Sequence, residues 1–256
     1  MSMFSLEGKV AVITGSSRGI GRATAERMAE AGARVVVSSR KAPACEAVAE
    51  GIREAGGEAI VIPCNISSKE ALQNLVDQTT AELGPIDILV CNAASNPVYG
   101  PMKDVDDDAF DKIMQNNVRS TFWLANMTAP SMAARGGGAI IVISSVAGLQ
   151  GNTGIGVYGI SKAADFQLVR NLAVEWGKKN IRANCIAPGL IKTDFAKALW
   201  ENPQALARVE RVTPLGRIGV PDEIAGAAVF LASDAAAYMT GQSIIIDGGS
   251  TISDLF

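Results

Sequence analysis

The sequence predicts an α/β fold, a single doubly wound parallel sheet of about seven strands with helices on both faces. Three observations carry this expectation. Short β-branched runs alternate with longer amphipathic stretches along the chain. The first run passes straight into a glycine-rich turn and then into a helical pattern. The composition is 48% hydrophobic but only 5% aromatic, so the core must be built from Ala, Val, Ile and Leu, which suits buried parallel strands covered by helices. A chain of 256 residues can bury such a core without disulfides, and no Pro- or Ser-rich linker divides it. One domain over residues 1–256 is therefore expected.

The strands are expected at residues 10–14, 34–39, 59–63, 86–90, 139–144, 181–186 and 243–246. Helical patterns at 19–31, 44–55 and 69–83 lie between the early strands, as right-handed βαβ crossovers require. Two longer helices are expected over 106–132 and 158–177. The acidic run Asp104, Asp106, Asp107 and Asp108 falls where the first of these begins. It reads as an N-cap and a first turn whose carboxylates oppose the positive end of the helix dipole. Pro221-Asp222-Glu223 is a second helix start of the same kind.

Composition also excludes several functions. The net charge is −3 with no dense basic patch, which argues against nucleic acid or an anionic membrane as a partner. The absence of histidine rules out a Ser-His-Asp triad and histidine-ligated metal. Cys45, Cys64, Cys91 and Cys185 form no Cys-x-x-Cys pair and read as buried free thiols of a reducing compartment. The opening nine residues are too short and polar for a signal peptide, and no apolar stretch approaches the ~18 residues that span a bilayer. The expectation is a soluble cytoplasmic protein with no metal.

The turn Gly15-Ser16-Ser17-Arg18-Gly19-Ile20-Gly21 joins the first strand to the first helix. Backbone N–H groups and a positive dipole end converge there, a site suited to a pyrophosphate. Glycines allow close approach of phosphate to backbone and of helix to strand. The spacing Gly-x-x-x-Gly-x-Gly is neither Gly-x-Gly-x-x-Gly nor a Walker A loop. An enzyme selecting NAD carries an acid about twenty residues beyond this turn. Here that position falls in Ser38-Ser39-Arg40-Lys41, with no carboxylate before Glu46. A hydroxyl and a guanidinium would hold a 2′-phosphate that an acid would repel, and Arg18 can approach the same group. NADP(H) is therefore favoured over NAD(H); taken alone, Arg40 and Lys41 are solvated loop charges.

Tyr158 and Lys162 stand one helical turn apart and share a helix face. A free tyrosine ionises near ~10, and a nearby cation favours the phenolate. A shift of ~3 units needs about 4 kcal/mol, which a lysine, an oxidised nicotinamide and a dry site can supply together. Ser145 lies thirteen positions upstream, at the carboxyl end of an apolar strand, where ligands bind in such sheets. Ser144 is its competitor.

These residues resemble the classical short-chain dehydrogenase/reductase family, and the resemblance runs over nearly the whole chain. It is carried by Thr14-Gly15-Ser16-Ser17-Arg18-Gly19-Ile20-Gly21, Asn92-Ala93-Ala94, Asn117-Val118, Ser144-Ser145, Tyr158-Gly159-Ile160-Ser161-Lys162 and Pro188-Gly189-Leu190-Ile191-Lys192-Thr193. The segments around Arg40, Asn92 and Pro188 are most similar to the NADPH-dependent carbonyl and retinal reductase branch. The resemblance implies a Rossmann fold and a catalytic set of Asn117, Ser145, Tyr158 and Lys162. It implies that Lys162 also bonds the nicotinamide ribose and that Asn117 holds a water linking Lys162 to solvent, with Asn116 as the neighbouring alternative. The implied cofactor-binding residues are Gly15, Ser17, Arg18, Gly19, Ile20, Gly21, Ser39, Arg40, Asn65, Ile66, Asn92, Ala93, Tyr158, Lys162, Pro188, Gly189, Ile191 and Thr193. Among them the Asn65 amide meets the adenine, the backbone of Ile191 meets the carboxamide, and Thr193 meets the carboxamide or the phosphate. The chain departs from the family at Cys91 and Ala94, where Asn and Gly are usual, and at Asn65, where Asp is usual.

The reading that follows is hydride transfer between NADP(H) and a small carbonyl compound or secondary alcohol, with Tyr158 as proton donor. Phe195, Leu199 and Trp200 recur at helical spacing and form either a substrate lid around residues 190–215 or a packed stripe. Tyr99 and Tyr238 lack a lysine partner and are expected to pack. The rival is a 3-oxoacyl-[acyl-carrier-protein] reductase, with Arg135, Lys178 and Lys179 as cations for the acidic carrier; at helix ends these are more simply dipole partners. A dinucleotide-sensing protein without turnover is the alternative from another class. The family implies a homotetramer.

Overall fold

Every residue of the first strand, β1 (Val10–Thr14), is buried, which is the signature of a strand covered on both faces. In the computed structural model, which describes residues 2–253, it stands near the middle of a seven-stranded sheet. The others are β2 (Arg34–Ser38), β3 (Glu58–Val61), β4 (Ile88–Cys91), β5 (Gly138–Ile143), β6 (Ile181–Pro188) and β7 (Ser243–Ile246). Their order is β3-β2-β1-β4-β5-β6-β7 and all neighbours are parallel. The chain winds outward from β1 to β3, then returns to lay β4 against the free side of β1. That reversal opens a crevice at the carboxyl ends of β1 and β4, where such sheets bind ligands.

Helices α1 (Gly19–Glu30), α2 (Ala42–Glu54) and α3 (Lys69–Glu82) follow the first three strands. Then come α4 (Asp107–Met114), a π-helical turn at Gln115–Arg119, α5 (Ser120–Ala134) and α6 (Gly156–Trp176). Near the C-terminus lie the short α7 (Lys197–Trp200), α8 (Pro203–Val212) and α9 (Pro221–Ala232). Strand residues alternate between two cores. Ala11, Ile13, Val35, Val37, Ile141 and Ile143 face α1, α2 and α9, where Met28, Val48 and Leu231 are buried. Val10, Val12, Val36, Ile140 and Val142 face α3, α5 and α6, where Leu72, Leu124 and Phe166 are buried. All four cysteines are free and buried within these layers.

The expected boundaries differ in a few places. The single helix expected over 106–132 is interrupted by the π turn, because Asn116 and Asn117 are both drawn toward Ser95. Strand β3 stops short of Pro63, which has no N–H for the ladder. β6 runs on to Pro188 because β7 pairs with it, Pro188 opposite Ile246. Asp106 caps α4, its carboxylate accepting from the Ala109 N–H at 2.7 Å, with Asp107 and Asp108 in the first turn. The segment expected to be a lid contains α7 and α8; Asn202 caps α8 by accepting from Gln204 and Ala205. Among the described residues no helix is long and apolar enough to cross a membrane.

Candidate active site

The glycine turn is built by side chains flanking it. Ser16 donates to the Ile13 carbonyl at 2.7 Å and accepts from the Ser38 N–H at 2.8 Å, binding the turn to β2. The Thr14 hydroxyl accepts from the N–H groups of Asn92 and Ala93, each at 3.1 Å. Asn92 in turn donates to the carbonyls of Thr14 and Gly15, at 2.9 and 3.3 Å. A Cβ on Gly21 would stand 2.4 Å from the Asn92 amide, so only glycine fits there. Gly15 and Gly19 have φ of +68° and +57°, in the left-handed region that favours glycine. Ser17 and Ile20 are half-buried beside them.

Helix α1 begins here with no side-chain cap and no acid in its first turn. Its first N–H groups and its dipole are therefore left for an external anion, and the glycines keep that approach clear. This combination fits a dinucleotide pyrophosphate. Arg18 is exposed but reaches Asp194 at 3.4 Å; that carboxylate competes with the phosphate role expected of it. At the end of β2, Ser39 is half-buried with its hydroxyl 3.1 Å from the Cys45 sulfur, and Arg40 is exposed. Asn65 is exposed, its side-chain oxygen accepting from Ser67, and Ile66 packs against the core that faces α3, α5 and α6.

Tyr158 and Lys162 lie on α6, buried to 9% and 3% exposure. The Lys162 ammonium is 5.8 Å from the centre of the Tyr158 ring. It donates to the Ile143 carbonyl at 2.9 Å and pairs with Asp165 at 3.0 Å. Of the two candidate serines, Ser144 donates to the Lys162 carbonyl at 2.8 Å and holds α6 against β5. Ser145 is half-buried, accepts from the Ala147 N–H and turns its hydroxyl to the Tyr158 phenol.

The electrostatics correct one expectation. Burial pushes the Tyr158 phenol above its ordinary value and outweighs the opposing pull of Lys162 and the Ser145 hydroxyl. Asp165 adds to the upward push. The lysine alone does not make this phenol acidic, because the cost of burying a phenolate exceeds its pull and Asp165 opposes it further. Burial also works against the Lys162 ammonium, but Asp165 prevails and raises it, so the ammonium is held charged.

Asn117 is buried in the π turn, with both amide donors and one oxygen lone pair engaged. Its oxygen accepts from the Ser95 N–H at 2.8 Å, and its nitrogen donates to the Ser95 carbonyl and to the Ser161 hydroxyl, both at 3.0 Å. Ser161 passes this on to the Tyr158 carbonyl at 2.7 Å. This side chain thereby ties the π turn to α6. Asn116 keeps a buried side-chain oxygen without a partner. Sequence reading missed Thr14, Ser16, Ser161 and Asp165 as parts of this framework; all but Asp165 lay inside a recognised motif, where the glycines, Tyr158 and Lys162 drew the assignment.

The loop after β6 completes the edge. Pro188 ends the strand, and Gly189 lies against Asp247, where a Cβ would meet backbone at 2.8 Å. Ile191 is buried and bridges to Gly219. Thr193 lies against Gly19 and accepts, through its carbonyl, from the Trp200 indole at 2.8 Å. The Phe195 ring stands 6.0 Å from that of Tyr158, with half of its surface exposed. Asn152 builds its own loop, accepting from Gly154 and Ile155. Contrary to the packing expected of them, Tyr99 and Tyr238 are exposed, at 71% and 107%. Arg135 donates to Asp87 and to the Ile86 carbonyl, at the amino edge of the sheet and away from this site.

A doubly wound sheet with a glycine turn, a buried phenol and a buried lysine at one edge defines an oxidoreductase of the dinucleotide-fold class. The chain belongs to the short-chain dehydrogenase/reductase family, in its classical division. A family model described as Enoyl-(Acyl carrier protein) reductase matches residues 15–251. Dehydrogenase/reductase SDR family member 4 of Bos taurus is 40% identical over 245 residues, 96% of this chain and 88% of that protein. The structure of 7α-hydroxysteroid dehydrogenase complexed with NADH and 7-oxo glycochenodeoxycholic acid is similar with a TM-score of 0.93 and 41% identity, over 99% of this chain and 98% of that one. Gluconate 5-dehydrogenase from Burkholderia cenocepacia in complex with NADP and tartrate is similar with a TM-score of 0.94 and 34% identity, over 98% of each chain.

Proposed function

We propose that this protein is an NADP(H)-dependent carbonyl reductase or secondary-alcohol dehydrogenase. One observation carries the reading: Tyr158 and Lys162 are buried together where the uncapped start of α1 and the loop after β6 meet. The nicotinamide, when bound, supplies or accepts hydride at the substrate carbon. Ser145 and Tyr158 meet the substrate oxygen as charge develops on it. Tyr158 gives that oxygen its proton in reduction and takes it back in oxidation. Lys162 stays charged beside it and restores the proton from solvent near the π turn at Asn117.

The choice of NADP(H) rests on residues. The β2 end carries Ser39 and Arg40 and no acid, and among the described residues no carboxylate pairs with Arg40. Asn65, Ile66, Asn92, Ala93, Pro188, Gly189, Ile191 and Thr193 line the remainder of the cofactor crevice in this reading. One solved relative carries NADP and another NADH, so family membership alone does not select between them. Residues 190–215, with Phe195 over Tyr158, act as the substrate lid. The substrate is a small carbonyl compound or alcohol, and the setting is the cytoplasm. Exposed Phe110, Phe122, Ile160, Val174 and Ile245 on α4, α5, α6 and β7 suit burial between copies in a homotetramer.

A panel of ketones, diketones and 3-oxoacyl thioesters with NADPH and with NADH tests this. Faster reduction of free ketones with NADPH is expected. Turnover confined to carrier-bound thioesters would replace the reading with the acyl-carrier one, and none with any substrate would favour a sensing role.

A further inference from the structure

Among the described residues, Asp165 is the one acid at the centre of the site that hydride transfer does not use. It lies one turn beyond Lys162 on α6 and is wholly buried. One oxygen takes the Lys162 ammonium at 3.0 Å; the other is buried without a hydrogen-bond partner. Lys162 has three N–H donors, of which the Ile143 carbonyl and Asp165 take two. The remaining donor is the one available toward the phenol and the crevice.

The groups around this carboxylate leave it a single counter-charge. On α6 it faces Lys162 and, beyond it, Tyr158. From β5 comes the Ser144 hydroxyl. From β6 comes Cys185, whose thiol reaches the Asp165 carbonyl at 3.5 Å, and from β4 comes Cys91. Burial pushes Cys91 up to about 12 and Cys185 well above the ordinary thiol value, so both are neutral. Arg170 acts on Cys185 from a distance. A carboxylate with no exposure and one partner must either be matched by that partner's charge or stay protonated.

We propose that Asp165 is a positioning residue: its carboxylate holds the Lys162 ammonium at the end of β5 and neutralises it, so that Tyr158 works beside an ion pair rather than a lone cation. The proposal rests on the reading of Tyr158 as the proton donor and adds to it a control on how readily the phenol ionises. A negative charge behind the lysine opposes the phenolate and weakens the ammonium's pull on it, so that burial keeps Tyr158 protonated in the protein alone. A neutral residue at 165 would release the full pull of the ammonium onto the phenol.

The test is the ionisation of Tyr158 in the full-length protein. Phenolate absorbance is titrated with Tyr158→Phe as the subtraction, in Asp165 and Asp165→Asn backgrounds. The pH profile of secondary-alcohol oxidation is measured alongside. In Asp165→Asn both the phenol titration and the rising limb of the profile are expected to move down by about one pH unit or more. Asp165→Glu, which keeps the charge, is expected to stay near the parent. If Asp165→Asn is too unstable to purify, Asp165→Ser is neutral, leaves room for a water and carries the same expectation. An unmoved or raised titration in the neutral variant overturns the proposal. Turnover that survives Tyr158→Phe overturns instead the reading beneath it, so the two failures are distinguishable.

Discussion

Thr14 and Asn92 bond each other's backbone. The Thr14 hydroxyl accepts from the Asn92 N–H at 3.1 Å, and the Asn92 side chain donates to the Thr14 carbonyl at 2.9 Å. These residues are 78 positions apart and lie at the carboxyl ends of β1 and β4. The two strands between which the chain reverses direction are thereby closed at the point where the ligand crevice opens.

Thr14→Val keeps the shape of this residue and removes its acceptor. The N–H groups of Asn92 and Ala93 then lose their partner in a site only 3% exposed at Thr14. Leaving buried donors unsatisfied costs about 1–3 kcal/mol. Denaturant unfolding is expected to show a loss in that range with an unchanged slope. Full stability in the variant would mean that water replaces the hydroxyl.

Tyr158→Phe removes one oxygen from a ring that is otherwise packed. Dinucleotide affinity, read by fluorescence titration, is expected to stay within a few-fold of the parent. Turnover is expected to fall by roughly 10²–10⁴-fold, the usual worth of a positioned general acid.

Arg40→Asp places a carboxylate where an NAD-selecting enzyme carries one. The ratio of kcat/KM for NADPH to that for NADH is expected to fall at least tenfold, mainly through KM for NADPH. A ratio that does not move would leave Arg40 as a solvated loop charge.

Glu223 makes an acid-sensitive contact at the start of α9. Arg217 and the Val220 N–H hold its carboxyl down at about 2, from an ordinary 4.5. Because the folded-state value is depressed, the unfolded chain binds more protons between these limits, and stability rises with pH there. The contribution is complete above about 4.5 and fades as pH falls toward about 2. Both side chains are largely exposed, so the effect is small. The thermal midpoints of the parent and Glu223→Gln are expected to converge as pH is lowered through this window and to separate above it.

Sequence patterns made much of the fold legible. The bounds of β1 and β7 match the residues expected, and α1, α2, α3 and α6 lie within two residues of their expected limits. Strict apolar runs and glycine punctuation are local signals, and buried parallel strands leave them undiluted by exposed faces. The candidate site was legible where its residues lie close in sequence, as in the glycine turn and the Tyr158–Lys162 turn. The interruption of the helix expected over 106–132 was not, because it depends on Ser95, about twenty residues earlier. Asp165 carried a faint signal, a single acid among Ala163, Ala164, Phe166 and Val169 on an otherwise apolar stretch.

By itself, the sequence determined the alternation of strands and helices, the glycine turn and the helical turn that puts a phenol and an ammonium on one face. Periodicity and short-range sterics suffice for these. Only the tertiary structure decided the charge state that surrounds the phenol. Burial strips water from Tyr158, Lys162 and Asp165 at once, and the sign of the outcome depends on which charges share that dry volume. That sharing is set by how α6 settles against β4, β5 and β6, a contact no local pattern encodes.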